Sequence, residues 1–200
     1  MDSKRRNLIK LMSLGAILPG ELLLTNFAKA GIENTETPLA DPIAKLFKES
    51  HVIDGLVITR GWDEDSFTAL KESGYSGFNT SLSSGSLKSA LASLEDWRNR
   101  IANNPDRLLL ASSANDFEIA KKSGKVAVMP GFQNATMIEQ SIDNIDKLYD
   151  AGTRWIQLTY NQRNLLGDGC TERTNAGLSD FGIEAVKRMN EIGIIVDLSH

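Results

Sequence analysis

A single cysteine, Cys170, stands among 200 residues, which excludes an intramolecular disulfide framework and leaves one free thiol in any oxidising compartment. Charge of one sign is also scarce. Lys and Arg total 22 against 26 Asp and Glu, a net charge of -4 with no block of like charge, so nucleic acid and anionic membranes find no electrostatic footprint. The most apolar stretch, residues 8–24, is interrupted by Pro19, Gly20 and Glu21 and makes too poor a span for a stable membrane helix. No repeat recurs at a fixed period. A glycine-rich phosphate turn is missing after the first predicted strand, where Gly55-Leu56-Val57-Ile58 stands instead, and this argues against a dinucleotide-binding sheet. What is present, 41% apolar and 24% charged residues, is ordinary for a globular chain with one sizeable core.

The N-terminus has the three parts of an export signal in order. Lys4-Arg5-Arg6 is basic, the apolar stretch follows, and Ala28-Lys29-Ala30 supplies small residues for cleavage. Arg5-Arg6-Asn7-Leu8-Ile9-Lys10 resembles the twin-arginine address read by an export machinery. Residues 1–30 are therefore expected to be a signal peptide, residues 31–43 a linker, and the mature protein periplasmic or otherwise exported.

From there, helix and strand patterns alternate. Helices are predicted over 44–49, 63–73, 86–103, 114–122, 138–150 and 179–193, and strands over 51–58, 77–82, 107–111, 125–130, 155–159 and 194–199. Residues 86–103 give the clearest helix: Leu87, Leu91, Leu94, Trp97 and Ile101 recur at spacings of three and four behind a capping Ser86, and Pro105 follows. The longest loop, 160–177, lies between the fifth strand and a helix capped by Ser179. Such alternation through short turns predicts an α/β fold with a parallel sheet. Six strands as an open sheet would leave two apolar edges, so the expectation is a TIM-type (β/α)8 barrel with about its first six β/α units in residues 44–200. The sequence stops at His200 with no helix to cover the sixth strand, and a complete barrel takes about 250 residues. The chain is accordingly expected to be a C-terminally truncated piece, aggregating and inactive alone.

Chemistry in parallel α/β folds sits at the C-terminal ends of strands. Those ends carry Asp54, Leu56 and Ile58, then Asn79 and Ser81, then Gln133, then Tyr160 and Asn161, and finally His200. The set is polar but almost uncharged, a poor first shell for hard divalent ions or zinc.

Val52-Ile53-Asp54-Gly55, Gly124-Lys125-Val126-Ala127-Val128, Tyr149-Asp150-Ala151-Gly152-Thr153-Arg154, Leu158-Thr159, Gly177-Leu178-Ser179-Asp180-Phe181-Gly182 and Val196-Asp197-Leu198-Ser199-His200 together resemble the membrane (renal) dipeptidase family of zinc peptidases. The resemblance implies a (β/α)8 barrel holding two zinc ions, and hydrolysis of dipeptides, including some with a C-terminal D-residue, through a metal-bridging hydroxide. Transferred residue by residue, the family's first-strand His-x-Asp ligand pair falls on Leu56 and Ile58. Its bridging glutamate falls on Gln133, a substrate-binding histidine on Tyr160 next to Asn161, and one histidine ligand on His200. Only His200 keeps a ligating side chain. His51, five residues before Leu56, would face the opposite side of a regular strand.

Two divalent ions about 3.5 Å apart repel by on the order of 20 kcal/mol even at an effective dielectric of about 20, and a bridging carboxylate offsets this. The neutral amide of Gln133 does not. The expected centre thus holds one zinc ion or none, with His200 as ligand, Gln133 at the bridging position, and Tyr160 and Asn161 toward substrate; the catalytic residue is left open. Cys170 is a candidate replacement ligand, against the plainer reading of a small buried residue. Asp54 reads as structural, and Arg60, Trp62 and Arg154 as packing or surface. Two functions follow: a metallodipeptidase-like hydrolase of dipeptides or related small amides with an altered metal site, possible as a homodimer at full length, or a metal-free periplasmic binding or maturation protein on the same barrel.

Overall fold

Strand β4, Val126–Phe132, is the longest of six parallel strands and the one that the others gather around. The computed structural model describes residues 41–58 and 62–200, so the expected signal peptide, residues 31–40 of the expected linker and Arg60 lie outside the described residues. The sheet lies within the compact unit Lys45–His200. Linker residues 41–43 prove helical, because α1 begins at Asp41 (Asp41–Glu49). The remaining elements are β1 (Ile53–Asp54), α2 (Glu64–Glu72), β2 (Gly77–Ser81), α3 (Leu87–Ala102), β3 (Leu108–Leu110), α4 (Ala114–Lys122), a 3-10 turn (Thr136–Ile138), α5 (Asp143–Asp150), β5 (Trp155–Gln157), α6 (Asp180–Ile192) and β6 (Ile195–Asp197).

The α/β class and the parallel sheet are as expected, but the strands do not follow in barrel sequence. β4 pairs directly with β2 along Ala127–Gly131. On its other edge it meets β3 through Val126–Val128 and then β5 through Gly131 and Phe132. The step from β2 to β3 therefore overshoots β4, and the step from β3 to β4 runs backward. A right-handed crossover that reverses direction has to cross the opposite face of the sheet, and it does. Phe78, Val126 and Val128 pack against Trp97 and Ile101 of α3, whereas Ala127, Leu109 and Met129 pack against Phe117 and Ala120 of α4. The result is a half-barrel parallel sheet in which β1, β2, β4, β5 and β6 follow in chain order while β3, with α4 across the other face, stands off that path, so six successive barrel units are not shown.

Pro130, at which the fourth strand was expected to end, lies inside β4. Ala127 donates to the β2 side and Val126 to the β3 side, so by alternation position 130 faces the edge where β3 has ended at Val128 and β5 starts at Gly131. A residue without an N–H removes no ladder bond there. The edge strands β1 and β6 curve toward one another: Ile53 and Ile195, with Met129 and Phe117, line one apolar cavity of about 500 Å³.

Four strands or helices are shorter than expected, and local side chains are the cause. The Asp54 carboxylate accepts from Leu56 N at 2.9 Å and from Tyr75 Oη at 2.8 Å, so β1 stops at Asp54 and Leu56 and Ile58 leave the strand. Asp197 Oδ1 accepts from Ser199 N at 2.7 Å and ends β6. Asn164 Nδ2 takes Leu158 O beyond β5. Residues 138–150 split into the 3-10 turn and α5, because Glu139 between them adopts φ 55°. Elsewhere the reading matches: Ser86 caps α3 in a capping box with Ser89, and Ala90, Leu94, Trp97 and Ile101 are its buried stripe. Arg154 clamps the sheet's lower rim, donating to Tyr149 O, Thr153 O and Ser112 O with its guanidinium over the Tyr149 ring. Trp62 lies among Phe67, Phe78 and Trp97 in the same packing.

Candidate functional site

The register of β5 and β6 builds the site. Trp155 pairs with Ile195, Ile156 with Val196 and Gln157 with Asp197, so residues three beyond the last pair emerge at the same level of the rim. Those residues are Tyr160 and His200. Their rings stack with centroids 4.1 Å apart and planes 23° apart. Asn161 follows Tyr160 and sets its Oδ1 3.2 Å from His200 Nδ1.

The long loop returns to the same point. Cys170 N donates to Tyr160 O, and Thr171 N donates to Asn161 O at 2.9 Å, so residues 170–171 lie along residues 160–161. That approach requires glycine at 169, where a Cβ would lie 2.5 Å from Asn161 O and 2.6 Å from Tyr160 O. The result places Cys170 Sγ 3.5 Å from His200 Nδ1 and 3.5 Å from Asn161 Oδ1. The thiol is exposed, not the small buried residue of the plainer reading.

Two further residues fix this loop, and neither stood out in the sequence. Asn164 donates from Nδ2 to Asn134 Oδ1 and to Leu158 O, both at 2.7 Å, and accepts from Leu166 N at 2.8 Å. It thereby ties the end of β4 to the end of β5. Asp168, its side chain only 6% exposed, accepts from Ala176 N at 2.8 Å and from Arg163 Nε at 2.6 Å. The available signal was an abundance of Asn and Gly between the end of the fifth strand and the next helix.

Those bonds, the backbone donor from Ala176 first and Arg163 second, hold the Asp168 carboxyl below its ordinary range. A folded-state pKa below the unfolded value of about 3.9 adds stability that is present above that value and is lost as the pH falls through the folded pKa. The loop is therefore expected to loosen below about pH 4, seen as faster exchange of the Ala176 amide. Asp168→Asn should exchange fast at neutral pH already; equal protection in both proteins would contradict the assignment.

Of the residues that the sequence singled out, Tyr160, Asn161, Cys170 and His200 come together. Gln133 and Asn134 stand at the end of β4, half-buried, with Asn134 bonded to Asn164 and, among the described residues, no hydrogen bond from Gln133 to His200. Leu56 and Ile58 stand beyond β1, at the other edge of the sheet from β6, with Ile58 64% exposed. Asn79, in the middle of β2 and 4% exposed, donates from Nδ2 to Gly55 O at 2.8 Å, and its Oδ1 has no partner among the described residues. His51 is engaged elsewhere, 2.7 Å from Glu118 on α4. Among the described residues no three His, Cys, Asp or Glu side chains are grouped to hold an ion. The two apolar side chains and the neutral amide at the positions where the resemblance would put metal ligands do not fit a two-zinc centre.

The family model for membrane dipeptidase (Peptidase family M19) matches residues 62–200. Dipeptidase verJ of Clonostachys rogersoniana is 34% identical over 117 residues, 58% of this chain and 30% of that protein. An uncharacterized dipeptidase of Schizosaccharomyces pombe is 36% identical over 95 residues, 42% of this chain and 23% of its own length. Among solved structures, an amidohydrolase from Pseudomonas aeruginosa superposes with TM-score 0.74 at 35% identity, covering 78% of this chain and 48% of that one. A metallo peptidase from Rhodobacter sphaeroides liganded with a phosphinate mimic of the dipeptide L-Ala-D-Ala shares the fold at TM-score 0.60 and 17% identity, over 75% of this chain and 58% of its own. The chain thus spans about a third or less of the curated relatives and about half of the solved structures.

Proposed function

Because the chain belongs to the membrane dipeptidase family, peptidase family M19, we propose that it is part of an exported, dipeptidase-like hydrolase acting on a small peptide or related amide through an altered metal site. The observation that supports this is the shared rim at the ends of β5 and β6, where His200 stands with Tyr160 and Asn161, residues to which the family resemblance assigns a ligand and substrate contacts. Gln133, Asn134 and Asn161 are neutral amides that can both donate and accept, which suits the peptide bond and termini of a short substrate. A metal ion bound at such a rim would supply polarisation of a carbonyl and a more acidic water. Export through the twin-arginine machinery, a periplasmic location and a homodimer of the whole protein belong to the same proposal.

The second reading, a non-hydrolytic binding protein, is favoured by one specific feature: Leu56, Ile58 and Gln133 stand where the family resemblance would assign metal-holding groups. Turnover and metal content of the full-length protein decide between the two. The proposal expects hydrolysis of dipeptides, with at most one zinc per chain, and a fall in kcat/KM of about 100-fold in His200→Ala. Tight dipeptide binding without turnover would establish the second reading, and two zinc ions per chain would overturn the altered site.

A further inference from the structure

Three strands at the centre of the sheet start side by side. Ser76 immediately precedes β2, Arg107 precedes β3 and Lys125 precedes β4, and the pairings of Gly77 with Ala127 and Leu108 with Val126 set these starts at nearly one level. A cavity of about 580 Å³ opens there, at the opposite end of the sheet from Tyr160 and His200. The last turn of α1 walls it. The Phe47 ring packs against Gly74, where a Cβ would lie 2.6 Å from Phe47 Cε1, and Lys121 Nζ donates to the Ser50 carbonyl.

Charge distinguishes this cavity. Five cations, Lys48, Lys71, Arg107, Lys121 and Lys125, line it against Glu64 and Asp106, in a chain whose net charge is -4. Glu64 is already occupied by Arg107, which meets it through both guanidinium nitrogens at 2.9 and 3.0 Å, and Lys121 is held by Ser50. Lys48, Lys71 and Lys125 come from α1, α2 and the start of β4, and none has a hydrogen bond or ion pair from its ammonium group among the described residues. Elsewhere that is true only of Lys88 and Lys187, whereas Lys45, Lys122 and Lys147 have partners. Like charges gathered around one recess without carboxylates repel one another and draw a counter-ion into it.

The floor and walls add direction. Ser76, 4% exposed, accepts from Val52 N at 3.2 Å through Oγ, and its own hydroxyl proton has no acceptor among the described residues. Phe47, Phe67 and Val126 are the apolar part of the lining, with Phe67 held under the Arg107 guanidinium at 4.5 Å. We propose that this cavity binds a small organic dianion, a phosphate monoester or a dicarboxylate, that carries a flat apolar body. Lys48, Lys71 and Lys125 meet the charge as flexible point charges, Ser76 donates to one anion oxygen, and Phe47 and Phe67 flank the body. The volume suits such a ligand, since small-molecule cavities run from about 300 to 1,000 Å³. A macromolecular polyanion would meet the acidic balance of the rest of the chain. The site shares no residue with the rim at β5 and β6, so it stands or falls apart from the hydrolase reading.

Pyridoxal phosphate tests the site on the full-length protein. Its aldehyde condenses with a lysine amine to an imine and water, and borohydride then reduces the imine to a stable amine whose position is read by peptide mass spectrometry. Labelling is expected at Lys48, Lys71 or Lys125 about tenfold or more above that at Lys88 and Lys187. Pyridoxal, the same aldehyde without the phosphate, should lose this preference. Phenyl phosphate or terephthalate should protect the three lysines, and comparing the two tells which headgroup is preferred, whereas sodium chloride at equal ionic strength should protect much less. In the double variant Lys71→Ala with Lys125→Ala neither lost ammonium group has a partner within the fold, so the melting temperature should match the parent while calorimetric binding of the better competitor weakens about tenfold or more. Even labelling of all these lysines, equal preference with pyridoxal, protection by sodium chloride as good as by either competitor, or unchanged affinity in the double variant would each overturn the proposal.

Discussion

Replacing Gly131 with alanine is expected to destabilise the protein by about 3 kcal/mol, the upper end of the usual range for overpacking. A Cβ at this position would lie 2.2 Å from Trp155 Cε3 and 2.4 Å from the Trp155 carbonyl oxygen. Gly131 is paired with Trp155 across β4 and β5, so relief requires the strands to separate where they are held by only two residue pairs. Trp155 is itself 6% exposed and has little room to move. For a chain of this size the cost corresponds to a fall in melting temperature of about 6–12 °C. The same separation would carry the end of β5, and with it Tyr160 and Asn161, away from the end of β4. A calorimetric scan checks the first part, and a melting temperature within a degree or two of the parent would refute the close approach.

Asn164→Ala is expected to cost about 2–3 kcal/mol, because it removes three hydrogen bonds and leaves the Leu158 carbonyl and the Leu166 amide without the bonds it made to them, while Asn134 Oδ1 keeps only Thr136 Oγ1. The neighbouring Leu166 is 1% exposed, so water cannot fully replace the bond to its amide. Asn164→Asp separates the contributions: it still accepts from Leu166 N but has nothing to donate to Asn134 or Leu158, and should recover only part of the loss. Denaturant midpoints of the two variants, with protection of the Leu166 amide, provide the measurement. Equal stability of Asn164→Ala and the parent would show that this residue does not tie β4 to β5.

How far the fold was legible depended on which interactions are local. The stripe Leu94, Trp97, Ile101 and the cap Ser86 lie within one helix, so period and capping chemistry were enough to place α3. Strand ends were another matter. Asp54, Asp197 and Asn164 each turn a side chain onto the backbone within six residues and take groups that a longer ladder would have used. Their type is visible in a sequence, but which of the competing partners they choose is not. Pro130 misled for the opposite reason: whether a missing N–H matters depends on whether a neighbour stands opposite, and the gap between β3 and β5 has no local signature.

The site divides in the same way. His200, Tyr160 and Asn161 were legible as polar residues after apolar strands, and the family motifs around them pointed to the same rim. Cys170 was one candidate among several, since nothing in Gly167-Asp168-Gly169-Cys170 says where the loop returns. Asn164 and Asp168, which hold that loop, passed as ordinary loop residues.

By itself the sequence determined the α/β class, the succession of helices and strands and the kinship with the dipeptidases, because period, capping and motif are properties of neighbouring residues. Tertiary structure alone decided that β3 lies beyond β4, that α4 crosses the opposite face, and that Cys170 meets His200 thirty residues away. Such pairings are chosen by packing and by the handedness of crossovers between distant segments, and the residues at either end do not encode them separately.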